Sequence, residues 1–138
     1  MFKIKIIQVG KTKEFKDSVA ELEKRLKGFA DLTTVTVQTD DQIIKNLSKE
    51  YFTVLLAIDG KQIDSVSFGK WLEERKNNEG KVQFIIGGPY GVPEEVAQKA
   101  DFKLSFSKMT FTHQMVRPIL LEQLYRAFTI IIGKKYHY

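Results

Sequence analysis

Both histidines of the chain lie in its last stretch. His113 follows a hydroxyl-rich loop, and His137 stands one residue from the end. Ser105, Ser107, Thr110 and Thr112 fall within eight residues around Lys108, and Arg117 and Arg126 follow. A histidine can take or orient a proton, and an arginine can support developing negative charge. The closing Lys134-Lys135-Tyr136-His137-Tyr138 combines two phosphate-seeking cations with aromatic rings able to stack on unpaired bases. Each feature also has a plainer reading. The serines and threonines are preferred helix caps. His113 could be an ordinary residue of a capping loop, and the tail a frayed end. Glu122 and Arg126 have the spacing and order of a surface ion pair on a helix. Arg117 has no acidic residue three or four positions away, which leaves it available for phosphate.

A second candidate site is Gly87-Gly88-Pro89-Tyr90-Gly91, directly after the apolar run Val82 to Ile86. Glycines at the carboxyl end of a parallel strand let a ligand approach the backbone. The loop has neither the Gly-Lys-Ser/Thr of a P-loop nor a G-x-G-x-x-G pattern. Its plain reading is a tight turn before Pro93.

Charge is unevenly distributed. From Lys103 onward there are six cations (Lys103, Lys108, Arg117, Arg126, Lys134, Lys135) against the single anion Glu122, which is the whole +5 formal net charge. One-sided positive charge suits a polyanionic partner such as nucleic acid. The 138 residues, 43% hydrophobic and 28% charged, make one globular domain spanning 1-138. No apolar run is long enough to span a membrane, and the N-terminus lacks a signal-peptide core. With no cysteine and two histidines, no metal site is expected. A cytoplasmic protein follows.

The elements that must position these residues alternate. Strands are expected at Phe2 to Val9, Thr33 to Val37, Thr53 to Ile58, Val82 to Ile86 and Phe102 to Phe106. The third is read as buried on both faces and closed by Asp59-Gly60. Helices are expected from Phe15 to Leu26, around Ile43 to Leu47, around Phe68 to Leu72, from Pro93 to Lys99 and from Gln114 to Ile132. Pro118 should lie in the first turn of the last helix, where a missing N–H costs nothing. Its stripe Leu120, Leu124, Ala127, Phe128 and Ile131 is core or a subunit interface. Strand–helix alternation gives an α/β fold with a largely parallel sheet covered on both faces.

Taken in order, V-G after the first strand, V-L-L-A-I-D-G-K, F-I-I-G-G-P-Y-G, L-S-F-S-K-M-T-F-T-H-Q-M-V-R, E-Q-L-Y-R-A-F and a closing Y-H resemble the ribosomal RNA large-subunit methyltransferase H family, of the SPOUT class. The resemblance covers essentially the whole chain. It implies a homodimer with a deep C-terminal trefoil knot. It also implies S-adenosylmethionine-dependent methylation of ring nitrogen 3 of a pseudouridine in large-subunit ribosomal RNA, on the assembled ribosome, with no metal. Carried over by motif, the cofactor contacts fall on Leu56, Gly87, Phe106, Ser107, Lys108, Met109, Thr110 and Phe111. The chain departs from the family in a shortened segment between Val37 and Tyr51, in Thr112 where proline is usual, and in lacking a basic residue after Tyr136-His137. The catalytic candidates are His137 as proton acceptor or base-orienting group, with Arg117 or Arg126 as electrostatic support; Lys134, Lys135 and Tyr136 are candidate RNA contacts. The rival reading is a ribosome-binding module that has lost its cofactor. A third, a nucleotide-binding enzyme of small-molecule metabolism, leaves the one-sided charge unexplained.

Overall fold

Five parallel strands and five helices alternate along the chain in a computed structural model that describes residues 1–11 and 13–136. The strands are β1 (Lys3–Val9), β2 (Asp31–Val37), β3 (Phe52–Gln62), β4 (Lys81–Ile86) and β5 (Phe102–Ser105), and the helices are α1 (Lys16–Leu26), α2 (Asp41–Asn46), α3 (Ser65–Asn78), α4 (Glu94–Ala97) and α5 (His113–Ile131). The sheet order is β2-β1-β4-β3-β5, with every pairing parallel.

Successive strand residues face opposite sides, and both sides are apolar, as buried parallel strands require. Ile4, Ile6, Val54, Phe84 and Ile86 pack with Val19 and Leu26 of α1, Phe68 and Leu72 of α3, and Leu120, Leu124 and Phe128 of α5. Ile7, Leu55 and Ile85 turn the other way onto Ile43 of α2 and Val96 of α4. Leu120, Leu124, Ala127 and Phe128 are therefore core of the single chain. They are not an exposed seam waiting for a partner.

Two local expectations are corrected. Pro118 lies in the second turn of α5, because the helix already starts at His113. The bond its ring removes is the one to the carbonyl of Gln114 in the first turn, and burial of Leu120, Leu121 and Leu124 holds the helix together beyond it. The far end is ordinary: Gly133 at φ 74° follows the last turn, and the N–H groups of Lys134 and Gly133 donate to Thr129 and Ile130 at 2.9 and 3.2 Å.

The second correction concerns β3. It does not close at Asp59-Gly60 but continues to Gln62, with a register shift against β5 between Leu56 and Lys61. Only Thr53, Val54 and Leu55 are fully buried; Leu56 and Ala57 are half-buried, and Ile58 and Asp59 are exposed. Gly60 serves close backbone approach, since a Cβ there would lie 2.8 Å from backbone atoms of Lys103 and Leu104. Gly60→Val is expected to destabilise the fold by roughly 1–3 kcal/mol, read as a lower midpoint in urea. An unchanged midpoint would show that β5 moves away without cost.

Candidate functional site

The register shift in β3 and the glycine loop after β4 open a cavity of about 390 Å³ at the carboxyl ends of the central strands, the place where open parallel sheets bind ligands. Its walls include Leu55 to Asp59, Ile86 to Pro89 with Gly91 and Val92, and the start of α5 at His113 and Val116, with Thr110 and Phe111 between. A smaller cavity of about 90 Å³ adjoins it. Leu56, Ala57, Ile58, Phe111 and Val116 line both, and Phe106, Ser107 and Met109 line the smaller one.

Residues 56, 87 and 106 to 111, far apart in sequence, are thus neighbours. Leu56 and Phe111 sit on the wall shared by the two cavities, Gly87 and Thr110 on the larger, and Phe106, Ser107 and Met109 on the smaller. Lys108 is exposed and lines neither. The hydroxyls of this loop do not cap α5: Thr112 is its N-cap residue and makes no side-chain cap bond. Instead Ser105 Oγ donates to the carbonyl of Ser107 at 2.9 Å, and Ser107 Oγ accepts from the N–H of Met109 at 3.0 Å. Both bonds stay within the loop and fix its curve.

Gly87 has a different reason to be glycine from the one the sequence suggests. A Cβ there would lie 2.8 Å from Val92 Cγ1 and 3.1 Å from the carbonyl oxygen of Gly91. The loop folds back on itself, with the N–H of Gly91 donating to Gly88 at 3.0 Å and Gly91 at φ 82°. Bulk at 87 would therefore disturb the loop before it met any ligand. Phe111→Ala is the cleaner probe, because Phe111 is only half-buried and lines both cavities. Loss of an aromatic wall is worth roughly 1–3 kcal/mol of stacking, so S-adenosylmethionine affinity should fall about tenfold or more by calorimetry. Equal affinity in the variant would remove Phe111 from the site.

The arginines are not where the sequence reading left them. Arg117 is buried and bonds Glu23 of α1, Nη2 to Oε1 at 3.1 Å. It ties two helices together and is not displayed for phosphate. Arg126 pairs with Glu122 at 2.9 Å, and that hydrogen bond raises its pKa above the usual arginine value. Its guanidinium also lies 5.0 Å from the ring centroid of Tyr136, which meets Tyr125 edge-on at 5.0 Å. Lys103, Lys108, Lys134 and Lys135 are the exposed remainder of the six cations. Lys103 lines the larger cavity, whereas Lys134, Lys135 and Tyr136 follow the other end of α5. His137 lies outside the described residues. Among the described residues no cluster could hold a metal ion, and no helix is long and apolar enough to cross a membrane.

Sequence reasoning missed Asp59, Lys103 and Val116 as cavity residues, and gave His113 no more than a capping role. The signal for Asp59 was present in the D-G pair, taken for a strand end when it marks a bulge.

The model of the family described as predicted SPOUT methyltransferase matches residues 2–137. The chain belongs to that family. Full-length relatives agree with the match. The putative ribosomal RNA large subunit methyltransferase H of Methanococcus vannielii is 38% identical over 156 aligned positions, covering 97% of this chain and 98% of its own length. The ribosomal RNA large subunit methyltransferase H of Carboxydothermus hydrogenoformans is also 38% identical, with the same coverage. The protein of that name from Christiangramia forsetii is 39% identical over 159 positions, covering 98% of each. Among solved structures, a probable methylase family protein from Haemophilus influenzae superposes with a TM-score of 0.56 at 13% identity, over 99% of this chain and 69% of that one. That likeness concerns the fold alone. As a SPOUT methyltransferase, the chain puts its bulged strand, its glycine loop and its 106–111 loop around two adjoining cavities.

Proposed function

We propose that this SPOUT methyltransferase uses S-adenosylmethionine to methylate ring nitrogen 3 of a pseudouridine in large-subunit ribosomal RNA, acting on the assembled ribosome. The observation that carries the reading is the convergence of Leu56, Gly87, Phe106, Ser107 and residues 109–111 on adjoining cavities at the carboxyl ends of β3 and β4. The full-length relatives named as ribosomal RNA large subunit methyltransferases supply the substrate class.

The residues present fit such a cofactor. The larger cavity joins apolar walls to backbone polar groups of the glycine loop, and the 106–111 loop, curved by its own serines, offers further backbone groups to an adenine edge. When bound, S-adenosylmethionine supplies an already activated methyl group. The chain's share is then to hold the acceptor nitrogen in line and to let its proton leave. Methyl transfer would replace the ring N–H proton by the methyl group, leaving the sulfur neutral, so that proton would need a base from the chain. His137 is our candidate for that base. Arg126, held by Glu122 beside Tyr136, is the candidate electrostatic support nearest the tail. Arg117, committed to Glu23, would act only through the position of α5.

A homodimer with a knotted C-terminal region belongs to the same proposal. Since Leu120, Leu124 and Phe128 are internal, the contact must use other surface, and light scattering should give about 32 kDa, twice the 15.9 kDa chain. A monomer at micromolar concentration would contradict it. The function itself is tested by incubating ribosomes from a strain lacking the enzyme with labelled S-adenosylmethionine and locating the label by mass spectrometry. Label on N3 of a pseudouridine in large-subunit RNA supports the reading, and unlabelled RNA overturns it.

A further inference from the structure

A third cavity, of about 370 Å³, lies beside the cofactor-sized one and shares His113 with it. Its other walls are Gly10, Lys11, Lys13, Glu14 and Gln114. At its centre the Gln114 side chain makes four contacts. Its Oε1 accepts from the backbone N–H groups of Lys13 and Glu14 at 2.8 and 3.2 Å, and its Nε2 donates to the carbonyl of Lys11 at 3.0 Å and lies 3.2 Å from His113 Nε2.

The first three contacts settle which way the amide points. A backbone N–H can only donate and a backbone carbonyl can only accept, so Oε1 must face Lys13 and Glu14, and Nε2 must face Lys11. The remaining N–H of Gln114 then faces His113 Nε2, which must be the acceptor. An imidazole that accepts at Nε2 carries its proton on Nδ1. The same bonds hold the loop leading to Phe15, which sits at φ 60°, a left-handed conformation rare for a bulky side chain. Gly10, whose φ of 83° suits glycine, lies beside the imidazole, and a Cβ there would meet His113 Nε2 only at an ordinary contact distance of 4.0 Å.

We infer that Gln114 is a positioning residue that fixes His113 in the Nδ1–H form, and that this N–H stabilises the charge developing on a ring carbonyl of the acceptor base. The second half rests on the function proposed above. Loss of the proton from a ring nitrogen flanked by carbonyls spreads negative charge onto their oxygens, and a donor fixed in advance favours that state without rearranging. His113 is the one described histidine, and it lines the larger cavity together with Gly87 and Phe111. Asp59, Glu94 and Lys103 are the charged groups lining that cavity, and Lys11, Lys13 and Glu14 those of the side cavity.

The test has two arms. Nitrogen-15 imidazole spectra of the full chain should show His113 with its proton on Nδ1, and a proton on Nε2 would overturn the inference without reference to activity. In Gln114→Glu the carboxylate still accepts from Lys13 and Glu14, loses the bond to the Lys11 carbonyl and offers His113 an acceptor, so the neutral imidazole should carry its proton on Nε2. Ribosome methylation should then fall on the order of tenfold or more at unchanged S-adenosylmethionine affinity. His113→Asn, whose amide nitrogen stands near the Nδ1 position, should keep more activity than His113→Gln. Full methylation by Gln114→Glu after the proton has moved would overturn the role assigned to the N–H. Absence of methylation in the wild type would overturn the proposed function and that role with it, while the spectra would still decide the Gln114–His113 arrangement.

Discussion

Deletion of Tyr136 to Tyr138 is expected to lower ribosome methylation on the order of a hundredfold or more, with S-adenosylmethionine affinity close to that of the full chain. The geometry explains why the two should separate. The cavity touches α5 at His113 and Val116, whereas Tyr136 packs on Tyr125 and beneath Arg126. Tyr125 lies twelve residues after His113, about 18 Å along a helix rising ~1.5 Å per residue. Tyr136, held there, does not line its own chain's cavity, so removing the tail should spare cofactor binding. Its part in the reaction would be played by release onto RNA or in the site of a second subunit, with His137 as the base. His137→Ala should show most of the same loss. Methylation at the full rate by the truncated enzyme would mean that the tail is only the end of the chain.

The second large effect is on stability. Glu23→Gln or Arg117→Met, made singly, is expected to cost roughly 1–3 kcal/mol. Each removes the ion pair that joins α1 to α5, in which Arg117 is buried and Glu23 half-buried. The double replacement of both by apolar residues should recover much of that loss, because no buried charge is then left uncompensated. Urea unfolding of the two single variants and the double variant forms a thermodynamic cycle. Additive losses would show that the pair contributes nothing as a pair.

The sheet and its covering helices were legible because the apolar periods are clean. Near-continuous apolar runs at Ile4 to Ile7 and Val82 to Ile86, whose successive residues pack onto opposite faces, and 3.6-residue spacing in α1 and α5 mark a parallel sheet covered on both sides. What the chain did not disclose depends on contacts across long sequence separation. Arg117 looked available because its acid, Glu23, lies 94 residues earlier on another helix. Gly87 looked like a ligand-facing glycine because its real neighbour, Val92, is met only when the loop turns back. Gly60 looked like a turn because a backbone crossing at β5 leaves no mark on local pattern. The stripe on α5 could be core or interface by period alone, and burial against Phe2, Phe29 and Phe84 decides for core. His113 was read as bland because nothing local tells that Gln114 reaches back to the loop at Lys11 to Glu14.

The claim on which the rest depends is that S-adenosylmethionine occupies the adjoining cavities walled by β3, the glycine loop and the loop from Phe106 to Phe111. Backbone amide shifts of the full chain during titration with S-adenosylmethionine test it directly. The expected perturbations centre on Leu56, Gly87 and Phe106 to Phe111 and spread to His113. The cavity of about 320 Å³ at the opposite ends of the strands, lined by Ser48, Tyr51, Gln83 and Asp101, should stay unchanged. Shifts confined to that opposite cavity, or none at saturating ligand, would contradict the account.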